Sequence, residues 1–246
     1  MHIHTEAFIL HKRKFQDYDY FVTLLTRSHG KITAICKGSR KITSKYHGQL
    51  EIFNLNQINL YKSPRNFIIT ESKIKKNYSK LKIDFKSTQT LLKLSEILFY
   101  TIPEEYPLFY ELFDLIEKHL YFLEEYPEKS ALIKEAFKIK ICQKNGILSD
   151  LNFCSHCENK LNPEKKFYFC FENNGLICDK CIQNKSPKKE ISLNTVKLLK
   201  FFYLNPLNEI IKLSFLARDL EEIQNILNTI IENHIHKKLH SYEMNG

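Results

Sequence analysis

From Ala7 to Lys80, apolar and polar residues interleave in short runs rich in β-branched and aromatic side chains: AFILHKRKF, YFVTLLT, KITAICKG, EIFNLNQINLYKS and NFIITESKI. Such runs predict strands. RSHG (27–30) stands between the second and third, where Gly30 can supply the positive φ of a hairpin turn, and Ser63-Pro64-Arg65 separates the last two. Five short strands in so little chain predict a small barrel, and a five-stranded OB-fold is the economical choice. From Ser87 the period becomes helical. Leu91, Leu94 and Leu98 recur at three- and four-residue steps, as do Leu112, Leu115 and Ile116, then Ile133, Phe137 and Ile141. A cysteine-rich stretch interrupts, and helical spacing resumes with Val196, Leu199 and Phe202, then Leu220, Ile223, Leu227 and Ile230. The expected architecture is α+β: an OB-fold barrel at 1–80, a helical domain at 81–150 continued at 191–246, and a zinc ribbon inserted at 151–190.

Composition narrows the class. At 43% hydrophobic and 13% aromatic residues the chain has the content of a folded protein. Charged residues interrupt every apolar run, so no membrane span is expected, and the opening MHIHTEAF lacks the layout of a secretion signal. Seven unevenly spread cysteines argue against a disulfide framework and for a reducing, cytoplasmic setting. Motifs for a P-loop, a dinucleotide fold, a nucleophile elbow or a zinc hydrolase are absent, so no enzyme is expected.

Cys154-Ser-His-Cys157 and Cys178-Asp-Lys-Cys181 are two C-x-x-C pairs separated by twenty residues, the spacing of four-thiolate zinc ribbons. Competing readings are redox thiols, disulfides, or Cys170 or His156 in place of one nominal ligand. With four thiolates on one zinc, no coordination position stays open for water, so such a metal folds the chain and does not catalyse. Lys160, Lys165, Lys166, Lys180 and Lys185 lie close enough in sequence to offset the charge of the thiolates or to touch phosphate. His234, His236 and His240 read as a helix end.

The net charge of +9 is unevenly placed: residues 1–80 hold fifteen Lys/Arg against five Asp/Glu, so the first third carries the whole excess. A field confined to one domain suggests a polyanion. Lys12, Arg13, Lys14, Arg27, Lys31, Lys37, Arg40 and Lys41 are the candidate nucleic-acid-binding residues, interleaved with Phe15, Tyr18, Tyr20, Phe21, His29 and Tyr46. OB-folds hold single strands with this combination, cations following phosphates and rings stacking on bases. For Phe21 barrel core is the simpler reading.

DYDYFVTLLTRSHGKITAICKGSRK (17–41) resembles the amino-terminal signature of the bacterial RecO family. YPLFYELFDLIEKHLYFLE resembles its central helices, AFKIKICQKNGILSDLNFCSHC its approach to the first knuckle, and NNGLICDKC its second knuckle, with Asn174-Gly175 where the family usually pairs two glycines. KKLHSYEM resembles its closing segment. The resemblance implies a non-enzymatic recombination mediator of the RecF pathway that binds single- and double-stranded DNA. It further implies annealing without ATP, recombinase loading with RecR, an interaction with the acidic, apolar-ended tail of single-strand-binding protein, and a nucleoid-associated location. The alternative is a zinc-ribbon module acting on RNA or DNA in transcription or RNA metabolism.

Overall fold

Several of the strand segments read as unbroken apolar runs because both of their faces are buried. The computed structural model describes residues 1–104, 109–162, 165–183 and 187–239. Strands β1 (His2–Phe15), β2 (Asp19–Thr26), β3 (Gly30–Cys36), β4 (Leu55–Lys62) and β5 (Phe67–Lys76) close into an OB-like barrel in the order β1-β2-β3-β5-β4. All pairings are antiparallel except β3 with β5, where Ala34 faces Phe67 and Ile35 faces Ile68. Ile9, Val22, Leu24, Ile32, Ala34, Ile58, Leu60 and Ile69 fill the interior.

In β1 the register slips between Ile9, opposite Leu24, and His11, opposite Thr23, so Leu10 is an extra residue. A bulge of this kind bends its strand. Phe8, Leu10 and Leu25 are buried outside the barrel core, and two helices cover that side: α1 (Phe85–Thr101) and α2 (Phe109–Glu125). The Phe8 ring lies 4.7 Å from that of Phe113 on α2, and Ser95 on α1 donates its hydroxyl to the Leu10 carbonyl. Asp84 caps α1 by accepting from the Ser87 N–H at 2.9 Å.

The chain divides into two compact units, Met1–Glu125 with Leu239–Gly246, and Tyr126–Lys238. The helices at 85–125 therefore group with the barrel, although the periodicity change in the sequence falls about forty residues earlier. Across the described residues no helix is long and apolar enough to cross a membrane.

The second unit holds α3 (Ser130–Lys144), β6 (Phe167–Cys170), β7 (Gly175–Ile177), β8 (Lys188–Ile191), α4 (Leu193–Leu204), α5 (Leu207–Ile210) and α6 (Ala217–Ile235). Helices α3, α4 and α6 pack on one another, and the three strands form a small sheet in the order β7-β6-β8. Being central, α3 buries Ile133, Phe137, Ile139 and Ile141, but also Glu135 and Lys138. The Lys138 amino group lies 3.1 Å from Glu135 Oε2 and donates to Asn228 Oδ1 on α6 at 2.7 Å. Burial drives the Lys138 pKa down, and the Glu135 carboxylate opposes that drop.

Lys134 also lies 3.5 Å from Glu135, so removing Lys138 leaves the buried carboxylate with one cation in place of two. Lys138→Met should cost about 2–3 kcal/mol, below the full cost of a stranded buried charge, and Glu135→Leu/Lys138→Met should recover most of it. Thermal unfolding of the intact chain checks this. Equal midpoints for the single and double variants would show that the pair is not the source of the loss.

Candidate metal centre and nucleic-acid interface

The two C-x-x-C segments fold as knuckles. In the first, Cys154 N–H donates to the Asn159 carbonyl at 2.8 Å, and Glu158, at φ +60°, turns the chain so that its N–H reaches the Cys154 carbonyl at 2.9 Å. In the second, Cys181 N–H donates to the Cys178 carbonyl at 3.0 Å. The hairpin β6–β7 brings the pairs together, because Ser155 N–H beside the first knuckle donates to the Leu176 carbonyl on β7 at 2.8 Å. Gly175 makes this approach possible: a Cβ there would lie 2.8 Å from the Cβ atoms of Ser149 and Ser155.

The sulfurs of Cys154, Cys157, Cys178 and Cys181 all lie within 4.8 Å of one another, and those of Cys157 and Cys178 are 3.8 Å apart. A tetrahedral metal with bonds of about 2.3 Å to sulfur has sulfur–sulfur edges of about 3.8 Å. The quartet therefore fits a metal ion. Burial opposes ionisation of Cys154, but surrounding donors, including the Cys178 N–H at 3.4 Å, outweigh it and bring the thiol down to about 6. Burial and the neighbouring thiols push Cys178 and Cys181 up. Without a cation this space does not favour four negative sulfurs, and a divalent ion removes the conflict.

Cys170 is buried on β6 opposite Gly175 and lies outside the quartet. His156 Nδ1 lies 3.8 Å from Cys181 Sγ but is not among the ligand atoms that all lie within 4.8 Å of one another. Lys166 pairs with Glu190 at 2.9 Å and Lys165 lies 4.0 Å from Asp179, so both have carboxylate partners. Lys185 and His240 fall outside the described residues, while His236 ends α6 at φ +51°.

On the barrel, the eight candidate cations separate into two groups at opposite ends of β2. The turn after β1 and the loop after β3 converge at one end. Arg40 joins them, its N–H donating to the Tyr18 carbonyl at 2.9 Å and its guanidinium to the carbonyls of Gln16 and Asp17 at 3.2 and 3.0 Å. Gly38 N–H adds a bond to Asp19 Oδ1 at 2.8 Å. Lys12, Arg13, Lys14, Lys37, Arg40 and Lys41 gather here with aromatic rings. Arg13 lies 4.7 Å over Phe21, Lys41 5.6 Å over Tyr18, and Lys12 and Arg40 lie 5.7 and 5.9 Å over Tyr20. Lys12 also pairs with Glu51 at 2.7 Å.

Arg27 and Lys31 sit at the other end, where Arg27 reaches α2 and Lys31 the end of α1. The Arg27 guanidinium meets Glu6 at 3.1 Å, Asp114 at 2.8 Å and Glu117 at 2.9 Å, and lies 4.2 Å over the Phe113 ring. Burial opposes its charge, but Asp114, Glu117 and Glu6 prevail and raise its pKa. Lys31 donates to the Phe99 carbonyl at 2.9 Å and to that of Ile102, closing the C-terminus of α1. The sequence carried no sign of these roles, since Asp114 and Glu117 lie about ninety residues away.

Two family models match in succession: "Recombination protein O N terminal" over residues 1–78 and "Recombination protein O C terminal" over 84–243. The chain belongs to the recombination protein O family. Curated relatives carry the name DNA repair protein RecO. One from Alkaliphilus metalliredigens is 27% identical over 99% of this chain and 93% of its own. Others from Dehalococcoides mccartyi and Clostridium novyi are 28% and 26% identical, covering 89% and 98% of this chain and 85% and 92% of theirs. The RecO amino-terminal model coincides with the barrel, whereas the RecO carboxy-terminal model already includes the two helices that fold onto it.

Cys178→Ser should abolish stoichiometric metal in the purified protein, while Cys170→Ser should leave it unchanged, as measured by elemental analysis. Equal loss in both variants would overturn the ligand assignment.

Proposed function

We propose that the protein is a DNA-repair recombination mediator that holds nucleic acid strands at the Arg40 end of its barrel and promotes their annealing without ATP. The supporting observation is the cluster of Arg13, Lys14, Lys37, Arg40 and Lys41, set among partly exposed rings and lacking carboxylate partners among the described residues. Two strands repel through their phosphates, and a surface that neutralises both lowers the barrier to their meeting. The rings offer stacking faces that any base can use, so pairing is left to the strands themselves. Family membership is the ground for single- and double-stranded DNA as ligands, for RecR as partner in loading a recombinase, and for association with the nucleoid. The metal is zinc: four sulfur donors in tetrahedral reach form a closed site whose work is to fold the ribbon.

The tail of single-strand-binding protein, acidic and apolar-ended, needs an apolar cavity beside a cation. In the second unit a cavity of about 500 Å³ is lined by Leu198, Phe201, Leu213, Phe215 and Leu216, with Lys197 as its cation and Asp219, buried and accepting from the Ser192 hydroxyl at 3.4 Å, as its carboxylate. We assign the tail to it. A fluorescent peptide of that tail should bind the wild type and bind at least tenfold more weakly to Lys197→Glu, since a like charge replaces the attraction. Unchanged affinity would remove this cavity from consideration.

Annealing of complementary labelled strands tests the main reading. Wild type should accelerate it, and Lys14→Glu/Lys37→Glu/Lys41→Glu should abolish most of the acceleration. The salt slope of single-strand binding should fall by about 0.7 for each phosphate the variant no longer neutralises. Arg27→Ala should instead lower the thermal midpoint by several degrees, as expected for about 1–2 kcal/mol, and keep its annealing when assayed below that midpoint. No annealing by wild type, or full annealing by the folded triple variant, overturns the proposal. Stronger binding to RNA than to DNA favours the RNA-metabolism reading.

A further inference from the structure

Ile42 is 94% exposed, more than any other large apolar side chain among the described residues. An aliphatic side chain left almost wholly in water is ordinary when it stands alone on a surface. Ile42 does not stand in an ordinary place: Arg40 and Lys41 precede it, Lys45 follows it, and Lys41 lies 5.6 Å over the half-exposed ring of Tyr18.

Its presentation is also fixed. The Lys41 carbonyl accepts from the Ser44 N–H at 2.9 Å and is bonded by His47 Nε2 at 2.9 Å, so Ile42 and Thr43 form the corner of a closed turn. Both flanks are anchored. On one side buried Ser39 donates its hydroxyl to the Cys36 carbonyl at 2.7 Å, and on the other buried Tyr46 donates its own to the Thr70 carbonyl at 3.1 Å. Little conformational freedom remains to be given up when this tip meets a partner.

We propose that Ile42 is a wedge that enters between neighbouring bases of the strand held by the barrel, unstacking them while the flanking cations hold the phosphates on either side. This rests on the nucleic-acid reading above and adds an activity to it: deformation of the base stack. Apolar side chains inserted at base steps do this in other DNA-binding proteins, where the cost of unstacking is offset by a larger interface with the deformed strand. Strands folded back on themselves must open before they pair in register with another strand, and a wedge that breaks their base stack helps to open them. Tyr18, whose ring is exposed beside the same lysine, offers a face for a displaced base.

The test uses the full-length protein and a strand carrying 2-aminopurine, whose fluorescence rises on unstacking, with affinity measured separately by anisotropy. Wild type should raise the fluorescence. Ile42→Ser should bind with affinity changed by no more than about twofold, because the contact it loses is offset by the unstacking it no longer has to drive, and show less than half of the rise. Ile42→Leu should retain it. A full rise with Ile42→Ser, or saturated binding by wild type with no rise, overturns the wedge and leaves the DNA-binding reading standing. Absence of binding by wild type overturns that reading itself. If instead Ile42→Ser fails to bind phosphatidylglycerol vesicles that wild type binds, while its DNA signals match wild type, the tip is a lipid anchor and the wedge is overturned.

Discussion

Two-sided burial of β1 and β2 is the constraint on which the first unit depends. One face of each strand fills the barrel, and the other carries Phe8, Leu10 and Leu25, which water would otherwise meet. A barrel with such an outer face needs a cover, and α1 and α2 supply it, with Phe113 packed on Phe8. Arg27 then links strand and helix through Glu6, Asp114 and Glu117, and Lys31 closes the end of α1. At the other end of β2, Arg13, Lys14, Lys37 and Lys41 have no carboxylate partner among the described residues. Cations tied to carboxylates and helix ends thus stand at one end of β2, and cations set among aromatic rings at the other.

The second unit handles charge differently. Around the thiols the chain brings potential anions together, and backbone N–H groups lower the Cys154 thiol while burial and neighbouring thiols push Cys178 and Cys181 up. Nearby lysines turn to carboxylates rather than to sulfur, as Lys166 does to Glu190. A divalent ion held by the quartet would supply the positive charge that Lys165 and Lys166 do not.

Features set by local period were legible in the sequence: the five barrel strands, the helices, and a metal quartet announced by paired knuckles. The selection of four cysteines from five was legible as well, because Cys170 has no knuckle partner and sits within an alternating strand. Less legible was anything that depends on residues far apart. Arg27 and Lys31 look like Lys37 and Arg40 when read along the chain, and only α1 and α2 folding against the barrel separates their roles. The same packing places the division of the chain after Glu125, where periodicity gives no signal. Gly175 was visible as a turn residue, but its crowding against Ser149 and Ser155 was not.

The way the barrel closes also orders events during synthesis. β1 pairs with β2 across a tight turn, yet its other edge pairs with β4, so that His2 faces Tyr61 and Ile3 faces Leu60. The edge of β1 therefore stays open until the ribosome has released roughly sixty residues, and such an edge invites pairing with other chains. Phe8 and Leu10 wait longer, for helices that end at Glu125. The unit takes its last described buried side chain, Leu239, from the far end of the polypeptide. A nascent chain of this protein thus exposes first a bare strand edge and then an apolar flank during its translation, the two kinds of surface through which unfinished chains aggregate.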